Sequence, residues 1–212
     1  MRKMRFIIFS FLFLVIYSNS MSQSTIQLPP PETKGGMPLM EVLEKRQSSR
    51  SFKDSVMSEQ QISNLLWAAY GINRLEINKR TVPSALNMQE YDIYLSMKSG
   101  FYLWNYTKNQ LETIKAGDFR SSVSKQTFVS DAALILIYVA DFDRMGQIED
   151  SKKEYYSAAD CGFICQNVYL FAASENLGAV IMANCEREHL SETLMLKPSQ
   201  KIVFIQPVGF MK

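Results

Sequence analysis

Cysteine, histidine and net charge are all scarce in this chain. Its 212 residues include three cysteines and one histidine, and 23 basic against 21 acidic side chains leave a formal net charge of +2. Cys161, Cys165 and Cys185 are odd in number and contain no Cys-x-x-Cys, which argues against a disulfide scaffold. Cys161 and Cys165, four apart in an expected helix, share one face and read as small core residues. Any Ser–His–Asp or Cys–His hydrolase would have to use His189, and no nucleophile elbow accompanies it. In its polar helical stretch His189 reads as a surface residue. One histidine and scattered cysteines do not make a zinc site. Near neutrality and dispersed basic residues argue against nucleic acid as a partner. No G-x-G-x-x-G follows a strand and no Walker A loop occurs, so a Rossmann dinucleotide site and a P-loop are excluded. An enzyme with so little acid–base machinery leaves its chemistry to a cofactor.

The chain does have ample core material: 47% hydrophobic residues, with thirteen Phe, ten Tyr and two Trp, enough for one domain. Residues 1–22 carry a basic start, Met1 to Arg5, then the apolar run Phe6 to Tyr17 and a polar, small-residue stretch from Ser18. These are the n-, h- and c-regions of a secretory signal peptide. As a helix the apolar run spans roughly 18 Å against about 30 Å of hydrocarbon, short for a permanent anchor. Cleavage is expected near Ser20 or Ser22, giving an exported, periplasmic protein with no stable membrane span; a retained N-terminal anchor is the alternative. Residues 23–38, with Pro29 to Pro31 and Gly35-Gly36, read as an extended tether, and 39–212 as the folded domain.

Within that domain, Leu39 to Lys45 has a short helical pattern with Leu39, Val42 and Leu43 on one face. Ser58 to Gln61 fits a capping box for a helix carrying Ile62, Leu65, Leu66 and Ala69, stopped at Gly71. Tyr91, Ile93, Leu95 and Met97 alternate with Asp92, Tyr94 and Ser96, as in a half-buried strand that turns at Ser99-Gly100 into a hairpin partner. Ala132 to Ala140 is a continuous apolar run suited to a central strand. Ser151 to Asn176 predicts a long helix, apolar over much of its circumference from Ala158 to Ala173 and therefore buried, either in this chain or at a subunit interface, with Gly178 ending it. A short strand at Ala179 to Met182, a helix running to Leu196 and a last strand over Lys201 to Val208 complete a pattern without regular alternation. The class is α+β.

Three clusters stand out. In Lys45 to Phe52, Arg46, Ser48 and Arg50 fall where the first helix ends, and two guanidinium forks with a hydroxyl suit a phosphate. Taken alone, Arg and Ser at a helix end are usually solvated. In Arg80 to Gln89, the compact Pro83, Ser84 and Ala85 allow a planar ring to approach the backbone, and Asn87 offers both donor and acceptor. In Leu177 to Asn184, a helix end leads into small residues whose backbone N–H groups could face a cofactor edge.

Taken in order, Arg46-Gln-Ser-Ser-Arg-Ser-Phe52, Pro83-Ser-Ala-Leu-Asn-Met-Gln89 and Asp160 to Asn167 followed by Leu177-Gly178 resemble the nitroreductase family of flavin mononucleotide (FMN) enzymes. Gln47 is the departure in the first motif. Arg80 to Ala85, Gly100 to Tyr106 and Leu111 to Arg120 are similar to the branch that oxidises azolines to azoles in modified peptides. The resemblance covers roughly Met37 to Phe210. It implies a mostly antiparallel sheet flanked by helices, a long interface helix and a homodimer whose two chains complete each site. It further implies that Arg46, Ser48 and Arg50 hold the FMN phosphate and ribityl chain. Pro83, Ser84 and Asn87 would reach the ring from the partner subunit, and Met182, Ala183 and Asn184 would line it through backbone. Lys212 is a further candidate for the phosphate. The implied activity is ping-pong hydride transfer from a donor such as NAD(P)H to a small nitroaromatic or quinone-like acceptor. No side chain is singled out as an acid or base. Azoline oxidation on a peptide and flavin or ligand binding without turnover are the alternatives.

Overall fold

The computed structural model describes residues 24–212. The leader read over residues 1–22 lies outside them. The elements run β1 (Thr25–Gln27), α1 (Leu39–Lys45), α2 (Glu59–Tyr70), β2 (Ile72–Arg74), β3 (Lys79–Arg80), β4 (Tyr91–Met97), β5 (Gly100–Asn105) and β6 (Gln110–Ala116). There follow α3 (Arg120–Val123), β7 (Leu134–Asp141), α4 (Asp150–Ser174), β8 (Leu177–Ala179), α5 (Arg187–Thr193) and β9 (Gln200–Phe210). Seven strands form one antiparallel sheet in the order β1-β6-β5-β4-β7-β9-β8, and β2 and β3 make a separate small hairpin. This is the expected α+β architecture.

All eight residues of β7 are buried, and the pleat divides them. Leu134, Leu136, Tyr138 and Ala140 face a core shared with α2 and α4, while Ile135, Ile137 and Val139 face a second core with Phe52, Phe101 and Leu190. The same two layers correct the expectation for β4. Its Tyr94 and Ser96, read as facing water, are buried because the second core covers that side, and Asp92 alone stays partly exposed. At the start of α2 the capping box is in place, with Ser58 Oγ accepting from Gln61 N.

Two further expectations are corrected. The segment read as a tether is strapped onto the domain: β1 pairs with the edge strand β6, and Leu28 is only 2% exposed. Its turn carbonyls are met in place, with Pro29 O accepting from Ser63 Oγ at 2.6 Å and from Asn109 Nδ2 at 2.8 Å. In α1 only Val42 is buried, and Leu39 and Leu43 face outward. Helix α4 buries one stripe, including Cys161, Ile164, Cys165, Val168 and Ala172. It exposes Tyr155 (73%) and Phe163 (47%) on the other, so of the two places expected to bury it, this chain supplies cover for one face alone.

The end of α4 also differs. Asn176, at φ 55°, takes the left-handed conformation that turns the chain, whereas Gly178 lies within β8. A side chain at Gly178 would place its Cβ 2.8 Å from Ser49 Cβ and 2.9 Å from Met211 Cγ. The glycine therefore permits the close approach of the Ser48–Ser49 segment to β8. Gly178→Ala should destabilise the fold by about 1–3 kcal/mol, read from the denaturant midpoint of the purified variant; a loss below about 0.5 kcal/mol would show that the contact yields easily.

Candidate functional site

The first and third clusters meet at one buried side chain. Ser48 forms a parallel bridge with Ala179, and Ser49 N donates to Ala179 O at 2.9 Å, so the Arg46–Arg50 segment runs beside β8. From α4, the Tyr169 hydroxyl accepts from Ile181 N at 2.9 Å and exchanges a hydrogen bond with Ser48 Oγ at 3.0 Å. Its ring lies under the Arg46 guanidinium, 5.4 Å from the centroid. Tyr169 was not singled out in the sequence; the only signal is a hydroxyl-bearing residue on an apolar helix face. Met182 is buried and trades backbone hydrogen bonds with Ile205, after which Ala183 and Asn184 emerge exposed, with Asn184 O accepting from Ser124 Oγ.

The donors here are uncommitted. Among the described residues, Arg46 and Arg50 take part in no ion pair, and Arg50 is exposed. Two guanidinium groups without carboxylates, next to a serine hydroxyl, are the chemistry that binds a phosphate dianion. A cleft of about 350 Å³ opens beside Lys45, Arg46, Tyr169 and Asn176. Lys212 pairs with Asp131 at 3.1 Å, and its backbone N–H reaches Ser51 O at 3.3 Å. That lysine is thus close to the Arg50 segment in the fold, with its charge already partnered.

The second cluster lies elsewhere. Ala85 N donates to Asp160 Oδ2 at 2.7 Å near the start of α4. Asp160 and Tyr169 are nine residues apart on that helix, about 13 Å at 1.5 Å per residue. The neighbouring side chains fix this loop tightly. Lys79 Nζ donates to Asn87 Oδ1 at 2.6 Å, and Gln89 Nε2 donates to the same oxygen at 3.2 Å. Ser84 Oγ accepts from Gln89 N at 3.1 Å, and Pro83 is exposed. Leu86, Asn87 and Gln89 all have positive φ, and Leu86 is 78% exposed. A leucine held left-handed at the surface costs free energy that the surrounding hydrogen bonds must offset.

Arg80 supports the loop from below. It is buried with its guanidinium 3.7 Å from the Tyr106 ring centroid and 4.5 Å from that of Tyr70, and its Nε donates to Gln89 Oε1 at 3.0 Å. Arg120 is likewise buried, bonded to Asp118, Asp54 and Ala132 O. These two arginines of the azoline-branch likeness are thus committed to packing. His189 is exposed on α5, and Cys161 and Cys165 lie buried with their sulfurs 3.8 Å apart, burial pushing the Cys161 thiol up. Among the described residues no cluster of ligating side chains could hold a metal, and no helix is long and apolar enough to cross a membrane.

Comparison with known proteins places this arrangement. The sequence profile of the Nitroreductase family matches residues 43–210. A candidate nitroreductase of Methanocaldococcus jannaschii is 29% identical over 194 residues, covering 87% of this chain and 95% of that protein. A candidate nitroreductase of Ralstonia eutropha JMP134, solved by crystallography, superposes with a TM-score of 0.83 at 36% identity, covering 89% of this chain and 90% of that one. A candidate NADH oxidase of Clostridium acetobutylicum shares the fold at 23% identity and a TM-score of 0.57, covering 81% of this chain and 87% of that one.

Tyr169→Phe keeps the ring beneath Arg46 but strands the Ile181 N–H. It should lower unfolding free energy by about 1–3 kcal/mol in urea titrations. An unchanged midpoint would mean that water replaces the hydroxyl at no cost.

Proposed function

Because the chain belongs to the nitroreductase family, we propose that it is an FMN-dependent oxidoreductase passing hydride between a donor such as NAD(P)H and a small organic acceptor, nitroaromatic or quinone-like. The observation that carries this reading is the Tyr169 joint, which fixes the unpaired Arg46–Arg50 segment against the strand leading to Met182. A phosphate-binding end and a ring-binding end then share one surface. The uncommitted donor set fits the mononucleotide. When bound, FMN supplies the hydride chemistry.

The chain's own residues bind and orient. Arg46 and Arg50 take the phosphate through charge-assisted hydrogen bonds. The Tyr169 hydroxyl accepts from Ile181 N; when it gives its own proton to Ser48 Oγ, the Ser48 proton is free for a phosphate or ribityl oxygen. Met182 forms a dry floor, and the exposed backbone of Ala183 and Asn184 meets the ring edge. The site is completed in a homodimer, where Pro83, Ser84 and Asn87 approach from the partner. Two features support the dimer: the second cluster lies far along α4 from the first, and α4 exposes an uncharged stripe of Tyr155, Ala158, Ala159, Gly162, Phe163 and Gln166. The leader pattern supports export to the periplasm.

An absorbance spectrum of the purified protein, with identification of any released chromophore, tests the reading: stoichiometric FMN is expected. A colourless protein that takes up no added FMN would instead favour a binding role for another ligand. Arg50→Ala should weaken FMN binding roughly ten- to a hundredfold in a fluorescence-quenching titration, the loss of one charged phosphate contact. Full retention of affinity would remove Arg50 from the phosphate site.

A further inference from the structure

Beneath the Pro83–Gln89 loop lies a charge problem that the FMN reading does not use. Glu90, the residue between this loop and β4, is completely buried, and neither carboxyl oxygen has a partner that donates to it. The group it lies against is the Asp160 carboxyl, itself buried on α4. The other groups facing Glu90 do not resolve the conflict. Tyr70 of α2 has a buried hydroxyl with no partner, and the Tyr91 hydroxyl is spent on Ser157 O. Cys161 of α4 is a buried thiol, and the Arg144 guanidinium after β7 is engaged by Asp92. Arg80 is turned to Tyr70, Tyr106 and Gln89. Two buried carboxylates in contact cannot both stay ionised without a compensating cation.

We propose that Glu90 and Asp160 share one proton and that this pair is the positioning element for the Ala85–Gln89 loop, through the Asp160 oxygen that accepts Ala85 N–H. With the proton in place, one carboxyl donates to the other and Asp160 keeps an oxygen for the loop amide. With it lost, two like charges in a desolvated contact repel, and Asp160 is drawn off Ala85. Three left-handed residues in this loop give it a strained state to relax from when that anchor goes. Neither acid touches the reacting atoms; both act through the loop. The consequence for the cofactor rests on the FMN reading, whereas the loop anchor does not.

The direction with pH follows. Burial, then the neighbouring Asp160, push the Glu90 carboxyl up from 4.5 to about 7. Burial raises Asp160 as well. A carboxyl with a raised folded value contributes fully below its unfolded value, and the contribution drains away as pH rises through the folded one. The loop is therefore held at pH 5.5 and released by pH 8.5.

Hydrogen exchange of the peptide spanning the loop, corrected for the intrinsic pH dependence of exchange, tests this on the full chain without added ligand. Wild type should lose about tenfold or more of its loop protection between pH 5.5 and 8.5. Glu90→Gln, which places a permanent donor against Asp160, should keep protection at both. Asp160→Ala should be unprotected at both; if it does not fold, the other two proteins still decide. Loop protection in wild type that does not change with pH, or a Glu90→Gln loop that loosens as wild type does, overturns the proposal. In parallel, FMN affinity should fall with pH in wild type relative to Glu90→Gln, a ratio in which the phosphate's own titration cancels. Absence of FMN binding in both proteins would defeat the cofactor reading alone, because the exchange result stands without it.

Discussion

A strand with eight consecutive buried residues needs an apolar layer on each face, and β7 is such a strand. Satisfying both faces at once forces the two-core arrangement: α2 and α4 on one side, and Phe52, Phe101 and α5 on the other. Phe52 is drawn into the second core and bridges Met211, so the segment just before it is laid along β8. The position of Arg46, Ser48 and Arg50 is therefore a by-product of covering the sheet.

Helix α4 turns this packing into a site. One face is committed to the first core, but that face also carries Asp160 and Tyr169, whose polar groups find their partners outside the helix and away from water. Tyr169 meets its need by joining Ser48 to Ile181, and Asp160 by taking the Ala85 amide against Glu90. Each polar group thus fixes one loop, and the helix holds the two loops a set distance apart. The outer stripe of α4 from Tyr155 to Gln166, uncharged and partly aromatic, stays exposed on this chain.

Much of the scaffold could be read from residue patterns. The capping box at Ser58, the apolar run of β7 and the helix before Asn176 are local signals, each governed by neighbours within a few residues. The three site clusters were legible as motifs because order and spacing survive in one dimension. Less legible was anything set by distant partners. Tyr94 alternates with apolar residues as a solvent-facing position would, yet a second core covers it. Pro29 to Pro31 have the composition of a linker, and only the side chains of Ser63, Asn109 and Gln60 reveal that the Pro29 and Pro30 carbonyls are held. Gly178 suits a helix stop; its actual constraint is the Ser49 side chain, remote in sequence.

The sequence by itself determined the class of fold, the positions of most strands and helices, and the candidate phosphate and ring-contacting residues, since periodicity and motif spacing are properties of neighbouring positions. Only the tertiary structure decided that Ser48 and Ile181 are joined by one hydroxyl, that the Asn87 loop stands apart from both, and that Glu90 and Asp160 are pressed together. Those facts depend on which residues meet across α4 and the sheet, and burial, charge and hydrogen-bond satisfaction are defined only once the chain has closed on itself.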